Sequence, residues 1–269
     1  MYIKKDDIHW LCNKMKTAGK AVIEIYDTFE EGEVDYKADD SPLTEADKVA
    51  HQQLMVALEE RFPDDMILSE EGKDMPYEQR KNASRLWVVD PLDGTKEFVN
   101  RNGDFTLNVA LIVDHRAVFG MVHVPVTGET FAGGEGWGAY EYAPEEEVFY
   151  PIRVRSFNGH QKGLNILTSR SHLNAATEEY VDRFSNPNLV ARGSAWKFLL
   201  IARGKADIYP RLAPTMEWDT AAAQIILEEA GGQVLRADDN EPLVYNKKDL
   251  VNPSFIAVAR TDRPDLLEV

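Results

Sequence analysis

A short apolar run that ends in two acids restricts this chain more than any other feature. Residues 86–89, Leu-Trp-Val-Val, read as a buried strand, and Asp90-Pro91-Leu92-Asp93-Gly94-Thr95-Lys96 follows at once. Such a strand delivers Asp90 at its end. Pro91 and Gly94 force a tight turn that brings Asp93 back beside Asp90. Two carboxylates so close repel each other unless a cation lies between them. Hard oxygen ligands of this kind suit Mg²⁺, which keeps waters and binds phosphate oxygens. Gly94 and Thr95 would then open a helix, and free helix N-terminal amides bind phosphate. Asp93-Gly94 alone is an ordinary turn after a strand. The strand, the paired acids and Gly-Thr-Lys together point to a metal and phosphate centre.

Three further acidic segments fit that reading, each with an ordinary alternative. Ser69-Glu70-Glu71-Gly72 follows a second short strand at 66–68. On its own it is a solvated turn; beside a strand ending in Asp90, Glu70 becomes a candidate third metal carboxylate. Thr44-Glu45-Ala46-Asp47 matches a capping box, with Thr44 as N-cap and Asp47 in the third helical position. Asp47 can also hydrogen-bond Thr95 and help deprotonate an attacking water, and the two roles can coexist. Glu217-Trp218-Asp219-Thr220-Ala221-Ala222 opens a long helix with Asp219 as expected N-cap. A carboxylate there can instead reach the cation of Asp90 and Asp93, and residues 221–223, all Ala, allow close packing.

The rest of the pattern is α and β mixed. Residues 6–30 have helical spacing at Ile8, Leu11, Met15, Ala18, Val22 and Ile25. A second helix is expected over 44–61, with Val49, Leu54, Val56 and Leu58 as its apolar face and Pro63 beyond its end. Residues 105–113, 117–124, 129–132 and 138–142 read as an antiparallel meander. Then strands at 164–168 and 206–209 alternate with helices at 175–184, 194–203 and 219–230, the last stopped by Gly231-Gly232. Strands at 234–235 and 255–259 close the pattern. Residues 144–147 are the expected exposed loop and 151–158 the expected boundary. This divides the chain into 1–155, with the metal-binding core and meander, and 156–269, which completes the site, as one catalytic unit. Gly133-Gly134-Glu135-Gly136-Trp137-Gly138 lacks the strand-to-helix context of a nucleotide loop and reads as a hairpin turn. No P-loop, Ser/His/Asp triad or zinc spacing is present.

Charge narrows the partners. The formal net charge of −16 over 269 residues disfavours nucleic acid polymers and anionic membranes. A small phosphorylated substrate remains compatible where a cation reverses the sign inside a cleft. Cys12 is the single cysteine and lies in the first amphipathic stretch, so it reads as a structural thiol in a reducing cytoplasm. No apolar signal core follows the first residues, and no run is long enough to span a bilayer. Loose association with the inner face of the cell membrane stays open, as does the choice between monomer and homodimer.

Asp90-Pro91-Leu92-Asp93-Gly94-Thr95, with Glu70 upstream and Trp218-Asp219-Thr220-Ala221-Ala222 downstream, resembles the inositol monophosphatase superfamily of lithium-sensitive, Mg²⁺-dependent phosphatases. Gly94-Thr95-Lys96-Glu97-Phe98, Ser41-Pro42-Leu43-Thr44, the 101–108 segment, Ser169-Arg170-Ser171-His172 and Tyr209-Pro210-Arg211 resemble its bacterial 3'(2'),5'-bisphosphate nucleotidase branch, the CysQ type. The resemblance covers about residues 8–260. It implies a five-layered α-β-α-β-α sandwich, of the type shared with fructose-1,6-bisphosphatase. It implies one cation on Glu70, Asp90 and the Leu92 carbonyl, a second on Asp90, Asp93 and Asp219, and a third, weaker one near Glu70. Asp47 and Thr95 would activate water and, with Glu70, make up the catalytic set. Glu70, Leu92, Asp93, Gly94, Thr95, Lys96 and Asp219 would also meet the substrate. His172, Ser194, Lys197 and Arg211 would complete a nucleotide site. Ala195 departs from the pattern, which has a second small polar residue after Ser194. The implied reaction is release of the 3'-phosphate of adenosine 3',5'-bisphosphate, giving AMP, in sulfur metabolism. The alternatives are inositol phosphate or fructose 1,6-bisphosphate as substrate, or a non-catalytic nucleotide- or metal-binding regulator.

Overall fold

The computed structural model describes residues 2–30, 34–37, 42–73, 75–158, 160–170 and 174–263. Helices α1 (Lys5–Thr28) and α2 (Glu45–Arg61) flank a small antiparallel pair, β1 (Asp35–Tyr36) and β2 (Pro42–Leu43). Strand β3 (Met66–Ser69), the single turn α3 (Tyr77–Arg80), β4 (Leu86–Asp93) and the short α4 (Thr95–Val99) come next. A meander follows: β5 (Thr106–Val113), β6 (Arg116–Val124), β7 (Glu129–Gly134), β8 (Gly138–Ala143) and β9 (Val148–Pro151). These strands form one seven-stranded sheet in the order β3-β4-β5-β6-β7-β8-β9, with β3 parallel to β4 and every other pair antiparallel.

The remaining elements are β10 (Ser156–Phe157), β11 (Asn165–Ser169), α5 (Ala175–Val181), β12 (Asn188–Arg192), α6 (Trp196–Ala202), β13 (Ile208–Arg211), β14 (Thr215–Met216), α7 (Glu217–Glu229), β15 (Gln233–Arg236), β16 (Val251–Asn252), β17 (Phe255–Val258) and β18 (Arg260–Thr261). Five of them form a second sheet in the order β12-β11-β13-β17-β15, while β10 pairs with β18 and β14 with β16.

The period of two along β4 explains the layering. Trp87 and Val89 enter one apolar cluster with Leu11, Met15, Leu54 and Leu58 of α1 and α2. Leu86 and Val88 enter another with Ala221, Ile225 and Ile226 of α7 and with Ile166, Ile208 and Ile256 of the second sheet. With α6 and α7 between the sheets and α5 against the outer face of the second, the result is the expected five-layered sandwich. Among the described residues, no helix is long and apolar enough to cross a membrane.

Two glycines seat α7 on the first sheet. A Cβ on Gly120 would lie 2.3 Å from the Ala222 carbonyl oxygen and 2.7 Å from its Cα, and one on Gly133 would lie 2.7 Å from the Ile226 Cα. Backbone cannot move aside as a side chain can. Gly120→Ala is therefore expected to destabilise the protein by about 3 kcal/mol, at the upper end of overpacking costs, read as a fall of several degrees in the melting temperature. A melting temperature equal to wild type would show that α7 is not held this closely.

Several expectations shift. The apolar face of α2 is an alanine stripe, Ala46, Ala50 and Ala57 with Leu54 and Leu58, whereas Val56 is 47% exposed and Val49 half-buried. Small side chains let α2 lie close to α1, which a valine face would prevent. Helix α7 starts at Glu217, so Asp219 is not the N-cap but sits in its first turn, where its carboxylate accepts the Met216 N–H at 2.8 Å. Helix α5 stops at Val181, before the expected end at 184. The expected 144–147 loop is the turn joining β8 to β9, the glycine-rich 133–138 segment turns β7 into β8, and Cys12 is buried in α1, its thiol pushed up to about 11 by burial.

Candidate active site

The carboxylates of Asp90, Asp93 and Asp219 meet at the C-terminal end of β4, with one oxygen from each within 4.8 Å of the others. Asp90 is delivered by β4, Asp93 by the turn that ends it, and Asp219 by the first turn of α7. At that spacing two full charges repel by about 3 kcal/mol in a medium of effective dielectric constant ~20. Burial raises the pKa of Asp90 well above the ordinary carboxylate range, and Glu70, Asp93 and Asp219 raise it further. Asp219 is raised for the same reasons, burial first and then Asp93. Asp90 Oδ1 accepts the Leu92 N–H at 3.0 Å, but its buried Oδ2 has no hydrogen-bond partner. An orphaned buried acceptor among mutually repelling acids fits a bound hard cation and is costly without one. The donors are all oxygen, as Mg²⁺ prefers.

Glu70 adjoins this cluster, and its charge adds to the burial that raises Asp90. Burial raises the pKa of Glu70, and Lys37 opposes the rise. The Lys37 ammonium donates to Glu70 Oε1 at 2.8 Å and also to Glu71. It thus puts one positive charge against the acidic cluster. Sequence reasoning missed Lys37, because nothing in its neighbourhood marks a partner more than thirty residues away.

On the cleft side of Asp93, Thr95 Oγ1 donates to Asp47 Oδ1 at 3.0 Å and lies 3.3 Å from the Leu92 carbonyl oxygen. Asp47 Oδ2 accepts from Thr44 N at 2.7 Å and Thr44 Oγ1 at 2.6 Å. Asp47 therefore both completes the capping box of α2 and holds Thr95. Burial pushes its pKa up to about 6, against the pull of the threonine hydrogen bonds. Gly94, at φ +96°, forms the N-cap of α4, as its place in the turn requires.

A cleft of about 270 Å³ opens over these groups, walled by Glu70, Asp93, Gly94, Thr95, Lys96 and Asp219 on one side and by Ser194, Lys197, Tyr209 and Arg211 on the other. Asp93 Oδ2 accepts from Ser194 Oγ at 2.8 Å, Ala195 N at 2.6 Å and Asn108 Nδ2 at 3.4 Å. Ser194 therefore serves Asp93 as well as lining the cleft. Ala195 contributes its amide, for which the side chain is immaterial. Lys197 is buried rather than on a solvated helix face, and donates to the Ser194 carbonyl at 2.7 Å. Burial lowers its pKa to about 8, Asp93 pulls it up, and Arg211 pushes it down. Arg211 Nη2 donates to Pro214 O at 2.9 Å, while its buried Nε has no partner. His172 lies outside the described residues.

Comparison with known proteins agrees with this geometry. The model of the inositol monophosphatase family matches residues 7–265. The 3'(2'),5'-bisphosphate nucleotidase CysQ of Escherichia coli (strain K12) is 39% identical over 247 residues, covering 91% of this chain and 96% of that protein. The crystal structure of CysQ from Bacteroides thetaiotaomicron superposes with a TM-score of 0.83 at 38% identity, covering 96% of this chain and 98% of that one. The Thermotoga maritima IMPase shares the fold at a TM-score of 0.80 and 24% identity, covering 97% and 95%. The chain belongs to the inositol monophosphatase family.

Proposed function

We propose that the protein is a Mg²⁺-dependent 3'(2'),5'-bisphosphate nucleotidase that releases the 3'-phosphate of adenosine 3',5'-bisphosphate. One observation carries this reading: Arg211, whose buried Nε has no partner, lines the same cleft as Asp93 and Asp219, which cluster with the unsatisfied buried acceptor Asp90 Oδ2. The first needs an anion and the last a cation. A substrate with two phosphates, one brought by metal and one held by arginine, satisfies both. The identity to nucleotidases of this name over most of the chain supports the same substrate.

Glu70, Asp90, Asp93, Asp219 and the Leu92 carbonyl would hold two or three Mg²⁺ ions. Mg²⁺ there supplies Lewis-acid neutralisation of the transferred phosphoryl group and lowers the pKa of water. Because Thr95 Oγ1 donates its proton to Asp47 Oδ1, its oxygen is left to accept a proton from water in the cleft. Asp47, with a pKa near 6, is a suitable final acceptor at neutral pH. The Gly94 and Thr95 amides orient the phosphoryl oxygens. Lys96 stands exposed at the cleft mouth, where its charge favours the approach of an anion. Ser194 and Lys197 line the opposite wall toward the nucleoside. The segments 1–155 and 156–269 act as one unit, since Asp219 comes from the second.

Phosphate release from adenosine 3',5'-bisphosphate, inositol 1-phosphate and fructose 1,6-bisphosphate, side by side with Mg²⁺, tests the assignment. A kcat/KM for inositol 1-phosphate equal to that for the nucleotide would overturn it. Arg211→Ala sharpens the test. A charge-assisted contact to phosphate contributes about 1.5–3 kcal/mol, so kcat/KM on the bisphosphate should fall about 10- to 150-fold. Adenosine 3'-monophosphate, with no second phosphate, should be hydrolysed almost as before. An equal loss on both substrates would make Arg211 structural.

A further inference from the structure

Asp104 does not itself line the cleft, yet it is buried and charged, at 5% exposure. Its Oδ2 accepts Arg170 Nη2 at 2.8 Å and the Gly193 N–H at 3.1 Å, and its Oδ1 accepts Arg192 Nη1 at 3.1 Å. Its backbone is where two loops close. A Cβ on Gly94 would lie 2.9 Å from the Asp104 carbonyl oxygen, and one on Gly193 would lie 2.7 Å from the same atom. Both loops therefore rest on Asp104 through residues that have no side chain.

What these loops carry explains the investment. The turn Gly193-Ser194-Ala195 includes Ser194 at φ +56°, a left-handed conformation that costs an L-residue about 1–2 kcal/mol. Such strain persists only where the surroundings enforce it. In that conformation Ser194 Oγ and Ala195 N both reach Asp93 Oδ2, at 2.8 Å and 2.6 Å. The Ser194 and Arg192 carbonyls turn toward Lys197 Nζ, at 2.7 Å and 3.4 Å. A relaxed turn would lose these contacts together.

We propose that Asp104 is a positioning residue for metal binding. By clamping the turn at Gly193 N, with Arg170 and Arg192 neutralising its charge, it fixes the donors that saturate Asp93 Oδ2 and so orients the carboxylate toward the cation. The inference rests on the reading of Asp93 as a metal ligand. Partners of this outer kind typically tune metal affinity by about 10- to 100-fold. In Asp104→Asn one acceptor oxygen becomes an NH₂ group, which faces an arginine or the Gly193 N–H as a donor against a donor. With the charge that anchors Arg170 and Arg192 also gone, the clamp on the turn is weakened.

The experiment measures Mn²⁺ binding to the full chain by electron paramagnetic resonance, without substrate, alongside steady-state hydrolysis over a range of Mg²⁺. For Asp104→Asn the Mn²⁺ dissociation constant should rise about 10- to 100-fold. The Mg²⁺ concentration for half-maximal rate should rise in step, and kcat at saturating Mg²⁺ should recover. Combining it with Ser194→Ala should cost less than the sum of the two, because both act on Asp93 Oδ2. A lower melting temperature with unchanged Mn²⁺ affinity, or strictly additive effects, would overturn the proposal. Should Asp104→Asn fail to fold, Arg170→Met removes one partner and should raise the same dissociation constant; no change would overturn it equally. Wild type that binds no Mn²⁺ would refute the metal-ligand reading instead.

Discussion

Replacing Asp90 with Asn is expected to abolish turnover and to leave the metal-free protein at least as stable as wild type. Asp90 clusters with Asp93 and Asp219 beside Glu70, and its Oδ2 has no hydrogen-bond partner, which is why its charge is proposed to meet a cation. Losing a ligand shared by the ions should cost several kcal/mol of transition-state stabilisation, about a thousandfold or more in kcat. Asn can still accept the Leu92 N–H through its amide oxygen, so the turn is kept. The stability change follows from the raised pKa. The protonated form favours the fold, so this contribution is fully present below the ordinary carboxylate pKa of about 4 and is lost as pH rises through the raised value. In chelator, wild type should lose stability relative to the variant from pH 4 upward. Mg²⁺ should raise the melting temperature of wild type and barely move that of Asp90→Asn. Thermal scans with and without Mg²⁺, beside a phosphate-release assay, read both effects. More than a tenth of wild-type turnover at saturating Mg²⁺ would sink the assignment of Asp90.

Asp47→Asn should lower kcat about 10²- to 10⁴-fold, the usual worth of a positioned acid–base group. Its amide can still satisfy one of the Thr44 donors, so α2 should stay capped and the melting temperature should change little. Wild type should gain activity as pH rises through about 6, where Asp47 loses its proton, and the variant should lack that limb. Thr95→Ala should resemble Asp47→Asn, and the double variant should be little worse than either alone, because one relay is broken once. A fully additive double variant would mean that the two side chains act separately.

The parts of the site legible in the sequence are those whose chemistry is local. Asp90 through Thr95 could be read because strand, proline, acid and glycine follow one another, and each constrains the next. Asp47 could be read as a cap from three neighbours, although its bond to Thr95 bridges distant elements. Asp219 was legible as an acid at a helix start, but the helix begins two residues earlier because its carboxylate reaches back to Met216. Lys37, Asn108 and Asp104 were not legible, since what gives each a role is a partner supplied by the tertiary fold. Strands β9 and β12 were missed for a different reason. Both are largely exposed sheet edges, without the buried alternation that marks β4 or β5. Val56 misled through its hydrophobicity, because it lies on the exposed side of α2, whose buried face is the alanine stripe.

Gly120 and Gly133 let α7 rest on the first sheet, and this has a consequence for biogenesis. The face of that sheet bearing Leu86, Val88, Ala110 and Phe131 is covered by elements translated much later, α7 among them. A nascent chain that has completed the meander but not Glu217 carries an uncovered apolar sheet face. It also carries Asp90 and Asp93 without their third carboxylate. Neither the apolar cluster on that face nor the three-carboxylate site can then form stepwise as the chain emerges, and both depend on the last third of the polypeptide. Long-range pairing of this kind slows folding and prolongs the exposure of apolar surface. Premature termination before α7 should yield a product for quality-control proteases, not a weakly active enzyme.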